Sequence, residues 1–213
     1  METQQLIANL VGEGARKPMS GVPRQMGLWL AVTFVWITLV ACHSGLRPDI
    51  TYKLNSTFFI PELMFLAAIS FSAAAAALFL SRPDAMQRAK IRWLPFLFVV
   101  PWAVMAKFNM DPMGGTTVMQ AIDSMRFDCA GCIFLCAIIP AIAMFVMVRK
   151  GAVASTGWAG GMSAFSVAAF AYLCMRVIEQ NDDPLHLLMW HALPVFIFCL
   201  IGILVGKLAL RWR

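Results

Sequence analysis

Six stretches of this chain are long and apolar enough to cross a bilayer, at about 27–45, 58–80, 93–108, 129–148, 157–178 and 185–210. An α-helix rises about 1.5 Å per residue, so roughly 20 apolar residues span the hydrocarbon layer. Backbone polar groups find no water there, so such runs must close their hydrogen bonds internally as helices. The third stretch is the shortest and carries Pro95 and Pro101. Of the 213 residues, 61% are hydrophobic and 13% charged, against about 45–50% and about 25% in soluble domains. That composition excludes a soluble globule, a disordered chain and a small disulfide-stapled domain. The expected fold is an all-α membrane protein with six transmembrane helices over residues 27–213 and a tail over 1–26. The stretches leave no room for a second domain.

The basic residues set the expected orientation. With the tail inside, twelve of the seventeen Lys and Arg fall on the inner side, among them Arg16, Lys17, Arg24, Arg82, Arg149, Lys150 and Lys207. Only Arg47, Lys53, Lys107, Arg126 and Arg176 fall outside. The positive-inside bias then puts both termini in the cytoplasm. The net charge of +6 follows from topology and calls for no direct nucleic-acid partner. The tail opens on Glu2, Gln4 and Gln5, with no basic segment before an apolar core, so it does not read as a signal peptide. Within it Leu6, Ile7, Leu10 and Val11 recur at helical spacing, with Gly12 and Gly14 as stops and Thr3 as N-cap. A short amphipathic helix of this length is marginal alone and needs a surface. Its polar face lacks Lys and Arg, which favours a protein partner over anionic lipid.

Depth can be counted along the helices. Cys132 lies twenty-one residues before Val153 in the fourth-to-fifth turn, and Cys174 twenty-one residues after it. The two thiols are therefore expected at equal depth near the outer end. Cys42, Cys129, His43, His186 and His191 map to the same outer third, while Cys136 and Cys199 look deeper. Thiols and imidazoles at an oxidising face can form disulfides or hold soft and borderline metals such as zinc or copper(I). Candidate metal ligands are Cys132, Cys174, His186 and His191. A lone membrane cysteine more often packs as a small apolar residue, and a single Cys129-x-x-Cys132 is a weak redox signal.

Charges inside the spans are functional candidates by default. Glu62, after Pro61, either meets solvent or faces the bundle. Lys107 and Arg176 are expected to snorkel to the outer edge. No mid-membrane chain of acids and bases suggests a pump. Gly157-x-x-x-Gly161, Gly202-x-x-x-Gly206 and the Ala73–Ala77 run mark thin helix faces. Pro140 and Pro194 are expected to kink spans four and six.

Asp128-Cys129-x-x-Cys132-Ile133, Pro140 and Val148-Arg149-Lys150-Gly151-Ala152 together resemble the NrsF family. Cys174, Asp183-Pro184-Leu185, Trp190-His191 and Leu210-Arg211-Trp212 extend the likeness, as do Leu6-Ile7, Leu10 and Val22-Pro23-Arg24 in the tail. The resemblance implies a six-span inner-membrane anti-sigma factor, a negative regulator of an extracytoplasmic-function sigma factor of the SigF type. It implies two signature thiols, here Cys132 and Cys174, with Cys129 an additional one. It implies no cofactor and no enzymatic activity. Oxidative or heavy-metal stress sensed at the thiols would release the sigma factor held by the tail with help from the inner loops; the reverse polarity, with reduction releasing it, is the alternative.

Two other classes compete. A quinone-linked membrane thiol oxidoreductase would use Cys129 and Cys132, but it usually needs a second cysteine pair in an outer loop, and those loops hold none. A small metal-ion transporter would need ligands in mid-membrane, and none is visible.

Overall fold

The computed structural model describes residues 3–12, 20–86, 89–109 and 127–210. The Leu6, Leu10 and Cys129 side chains, most of the tether after the first helix, and the loop bearing Asp111, Asp123 and Arg126 lie outside the described residues. All described regular structure is helical: α1 (Thr3–Gly12), α2 (Val22–Ser44), the short α3 (Ile50–Leu54), α4 (Phe59–Leu80), α5 (Leu94–Asn109), α6 (Phe127–Arg149), α7 (Thr156–Ile178), the single turn α8 (Pro184–His186) and α9 (Leu193–Ala209). Two 3₁₀ turns, Pro83–Met86 and Ala89–Trp93, join α4 to α5, and a π-helix, Leu187–Ala192, joins α8 to α9. Six helices are long and apolar enough to cross a membrane. An even number of crossings puts the N- and C-terminal segments at one end of the bundle. The loops after α2 and α7 lie at the far end.

The first crossing starts earlier than its apolar pattern suggests, at Val22 instead of near residue 27. Gly21 caps it and a proline occupies its first turn, where a missing N–H costs nothing and a fixed φ favours helix.

Helix α7 is the hub. Two-thirds of its apolar window is buried, against 11% for the third crossing, and it packs on α4, α6 and α9. Small residues permit this. Ala73, Ala74, Ala76 and Ala77 of α4 have no exposed surface, and Ser70 Oγ donates to the Ser166 carbonyl across the interface at 2.8 Å. On the other side Gly160 seats against Gly202 and Gly206 of α9 backbone to backbone. A Cβ on Gly160 would stand 2.7 Å from Gly206 Cα. Gly157, the residue singled out by motif spacing, instead meets the Lys207 stem, and Gly161 meets Ile203.

Helix α2 docks on α6 through two indoles. Trp29 Nε1 donates to the Pro140 carbonyl at 3.1 Å, and Trp36 Nε1 donates to Leu135 O at 2.9 Å. Pro140 sits inside α6. Lacking an N–H, it leaves the Cys136 carbonyl without its helical donor. Pro194 falls in the first turn of α9, just after the π-helix, so winding changes there at a junction between elements.

Gly160→Ala should lower the stability of the detergent-solubilised protein by about 1–3 kcal/mol, the usual cost of overpacking. Gly27→Ala, where the added methyl meets nothing within 4 Å, should be neutral or gain up to about 1 kcal/mol of helix propensity. Thermal unfolding of both reads the difference; equal effects would mean the α7–α9 backbone contact is absent.

Candidate functional site: a buried charge network, a thiol contact and an imidazole pair

The far end of the bundle buries a network of charges. At its centre Arg176, near the end of α7, forms a two-pronged ion pair with Glu62 of α4. Both N–O distances are 3.0 Å, and the two residues are 1% and 0% exposed. Arg176 Nη1 also donates to Asp182 at 2.6 Å. Asp182 takes Arg47 at 2.9 Å and Lys53 at 2.7 Å, and Arg47 pairs with Asp49 at 2.7 Å. Three cations and three carboxylates therefore close on each other with no net charge. Both guanidinium groups lie over the buried Phe59 ring, 5.4 and 5.7 Å from its centroid, where the ring's negative face attracts them.

The network also finishes a helix end. Arg47 N–H donates to the Val177 carbonyl at 3.1 Å, and its side chain reaches the Arg176 carbonyl at 3.4 Å. The last carbonyls of α7 thus gain donors and a cation, the favourable charge at a helix C-terminus. The expectation that Arg176 snorkels is overturned. Paired with Glu62 and Asp182, its charge is stable inside the bundle, and Glu62 faces the bundle with it. Lys107, at an exposed position of α5, takes no part among the interactions described.

Burial disfavours charge on Asp182, but hydrogen bonds from Arg47, Lys53 and Arg176 outweigh it and hold its pKa down to about 2. The same competition at Glu179, won by hydrogen bonds from His186 and then His191, holds that carboxyl well below the usual range. Asp49 is lowered by its hydrogen bond to Arg47.

One step from the charge network, at the α7–α8 corner, Glu179 receives two imidazoles. His186 Nε2 lies 2.8 Å from Oε1 and His191 Nε2 lies 3.0 Å from Oε2. The two Nε2 atoms are 3.4 Å apart. Both rings are buried, at 5% and 1% exposure, and His191 also packs on Tyr172 with ring centroids 5.3 Å apart.

The thiols lie next to this corner. Cys174 Sγ is 3.7 Å from Cys136 Sγ, and both residues are buried. Cys132, counted as the partner of Cys174 by depth, sits one turn further out on α6 and is half-buried. Cys132 and Cys136, four residues apart, share one face of α6, and Cys136 is the thiol in contact with Cys174. Cys199 is half-buried on α9, and Cys42 is exposed. Residue spacing did not find Cys136, Glu62 or Glu179 as members of the site; the one local signal was a carboxylate placed after Pro61 inside an apolar run.

Glu62→Met should destabilise the protein by about 3–5 kcal/mol, because it strands the buried Arg176 charge. Adding Arg176→Met should cost less than the sum of the single changes, and unfolding measurements on the double-mutant cycle check this. Independent costs would show the pair is not coupled. Stability should also depend on Asp182. Its depressed pKa contributes stability present above about pH 3.8 and lost as pH falls toward about 2, because the unfolded carboxyl takes the proton first. Thermal melts between pH 7 and pH 2 should therefore be flatter for Asp182→Asn than for the parent.

A family model described as NrsF, negative regulator of sigma F, matches residues 10–212. Neither a curated protein nor a solved structure matches the chain. The matched segment runs through all six long apolar helices and every residue of the charge network, the thiol contact and the imidazole pair. The chain belongs to the NrsF family of negative regulators of sigma F.

Proposed function

We propose that this protein is an integral inner-membrane anti-sigma factor. Both termini lie in the cytoplasm, and α1 holds an extracytoplasmic-function sigma factor there until the thiols at the periplasmic end react. The orientation is supported by the twelve-to-five division of basic residues. Partner binding is supported by the exposure of Ile7 and Val11, at 55% and 74%, on a helix too short to persist without a surface. Leu6 and Leu10 complete the same apolar stripe in sequence. The observation that carries the sensing half is the contact between Cys136 and Cys174, which joins two spans through reactive atoms.

Oxidation of this pair by a peroxide removes one proton and one electron from each thiol, forms the S–S bond and releases two waters. A disulfide is about 2.05 Å long, so the 3.7 Å contact must shorten, drawing α6 onto α7 at the turn before Pro140. A soft metal bridging Cys174 with Cys136 or Cys132 would pull on the same two helices. Cys132, the more accessible thiol, is suited to first attack, and Cys129 stands one turn beyond it in sequence. The cytoplasmic end of α6 leads into Gly151, whose Cα seats against the Ser81 carbonyl. The next residue, Arg82, donates to the Ser20 carbonyl at 2.7 Å, at the root of the tail. Rotation of α6 therefore has a packed route to the tether of α1. Reversing a 1:99 balance between holding and releasing states needs about 5.5 kcal/mol of difference, within reach of a covalent bond. The family supports a regulator over an enzyme.

The test uses the full chain in membranes. Ile7→Asp with Val11→Asp should abolish co-purification of the sigma factor. Cys136→Ala with Cys174→Ala should keep it bound but block release by peroxide or cadmium, with Cys199→Ala as a neutral control. If the double cysteine variant releases sigma as the parent does, and Cys132→Ser does not change that, the thiol trigger is wrong. If the charged tail still retains sigma, α1 is not the holding element.

A further inference from the structure

We propose that Glu179, His186 and His191 form a site for a borderline divalent cation of the zinc class, separate from the thiols. One donor atom from each residue lies within 4.8 Å of the other two. Zinc holds nitrogen and oxygen ligands at about 2.0–2.2 Å, so neighbouring ligands of a tetrahedron stand about 3.3 Å apart. The closest approaches here, 2.8, 3.0 and 3.4 Å, are one face of such a tetrahedron with small adjustments.

The local winding explains why these residues converge. His186 and His191 are five residues apart, and at 3.6 residues per turn that spacing puts them on different faces. The chain runs as a π-helix from Leu187 to Ala192, and Leu193 N–H bonds to Leu188 O, five residues back. Winding of the i→i+5 kind brings the two imidazoles onto one side, and single π turns are often kept at functional sites. Pairing alone explains the arrangement poorly. Two Nε2 atoms that both donate to one carboxylate face each other donor to donor at 3.4 Å. A cation between them removes that conflict, since each nitrogen then offers a lone pair. The His191 Nδ1 is buried with no hydrogen-bond partner among the described residues.

Three protein ligands leave a fourth position, the arrangement of zinc sites that keep a water or an exchangeable ligand. Glu179 and His186 line a cleft of about 610 Å³ at the far end, beside Ser44, Gly45 and Gln180. An ion reaching the site from solution would cross-link the end of α7 to the start of the last crossing. The site does not depend on how the thiols or the sigma factor behave.

The experiment uses the full-length protein in detergent, with Zn²⁺ and Co²⁺ as probes. A variant with Cys129→Ser, Cys132→Ser, Cys136→Ala and Cys174→Ala should bind one Co²⁺ per chain. It should show tetrahedral visible absorption without a thiolate charge-transfer band, and Zn²⁺ should displace the Co²⁺. His186→Ala, and separately Glu179→Gln, should weaken Zn²⁺ binding at least tenfold and erase the Zn²⁺-induced rise in Tm. Their Tm without metal shows whether they fold. If neither variant folds, the Co²⁺ spectrum of the four-cysteine variant decides alone. Absence of binding at micromolar free metal, a thiolate band, or unchanged affinity in folded His186→Ala and Glu179→Gln would overturn the proposal.

Discussion

The ion pair between Arg176 and Glu62 is the constraint around which the far end is built. A guanidinium this deep is tolerable only with a carboxylate opposite it and further acceptors nearby. Glu62 brings α4 to α7, and Asp182 brings the loop after α7. Through Arg47 and Lys53, Asp182 then brings the segment after α2. Three chain crossings are thus held at one end by charges that cancel locally. Such a network adds less net stability than its short distances suggest, because desolvation offsets most of the attraction. A rotation of α4 that parted Glu62 from Arg176 would leave a buried charge unpaired.

The remainder of the bundle is held by close approach. Association of helices in lipid gains little from hydrophobic burial and depends on fit and interhelical hydrogen bonds. Alanines of α4 and glycines of α7 and α9 let backbones approach, while the indoles of α2 reach the α6 backbone. The two modes divide the molecule. Small-residue packing runs along the length of α7, and electrostatic closure sits at its far end. Between them lie the Cys136–Cys174 contact and the imidazole pair. A chemical change there acts on helices that already touch and already share a charge network, so a local event need not travel far before it meets a rigid element.

This placement also separates the two proposed chemistries. The thiols bridge α6 and α7 inside the bundle. The imidazoles and Glu179 bridge the end of α7 and the start of the last crossing, open to a cleft. The first biases the helix that leads to the Gly151 turn and the tail. The second pins the corner against which that helix would move.

The six crossings, their order and the shared end of the termini were legible from residue order, because a run of apolar residues has one viable structure in lipid and its length sets the span. The thin faces of the second, fifth and sixth segments were legible for the same reason: helical period assigns residues to faces. Which faces meet was not legible. Cys132 and Cys136 stand about one turn apart on the same face of α6, so counting resolves height only to within a turn; the bundle brings Cys136 to 3.7 Å from Cys174. Arg176 read as a snorkelling cation because its partner stands 114 residues away in another helix. The convergence of His186 and His191 rests on a change from α to π winding, and no pattern of side chains announces it. Height along a membrane helix follows from counting to within about a turn; azimuth follows from neighbours, and neighbours exist only once the bundle has formed.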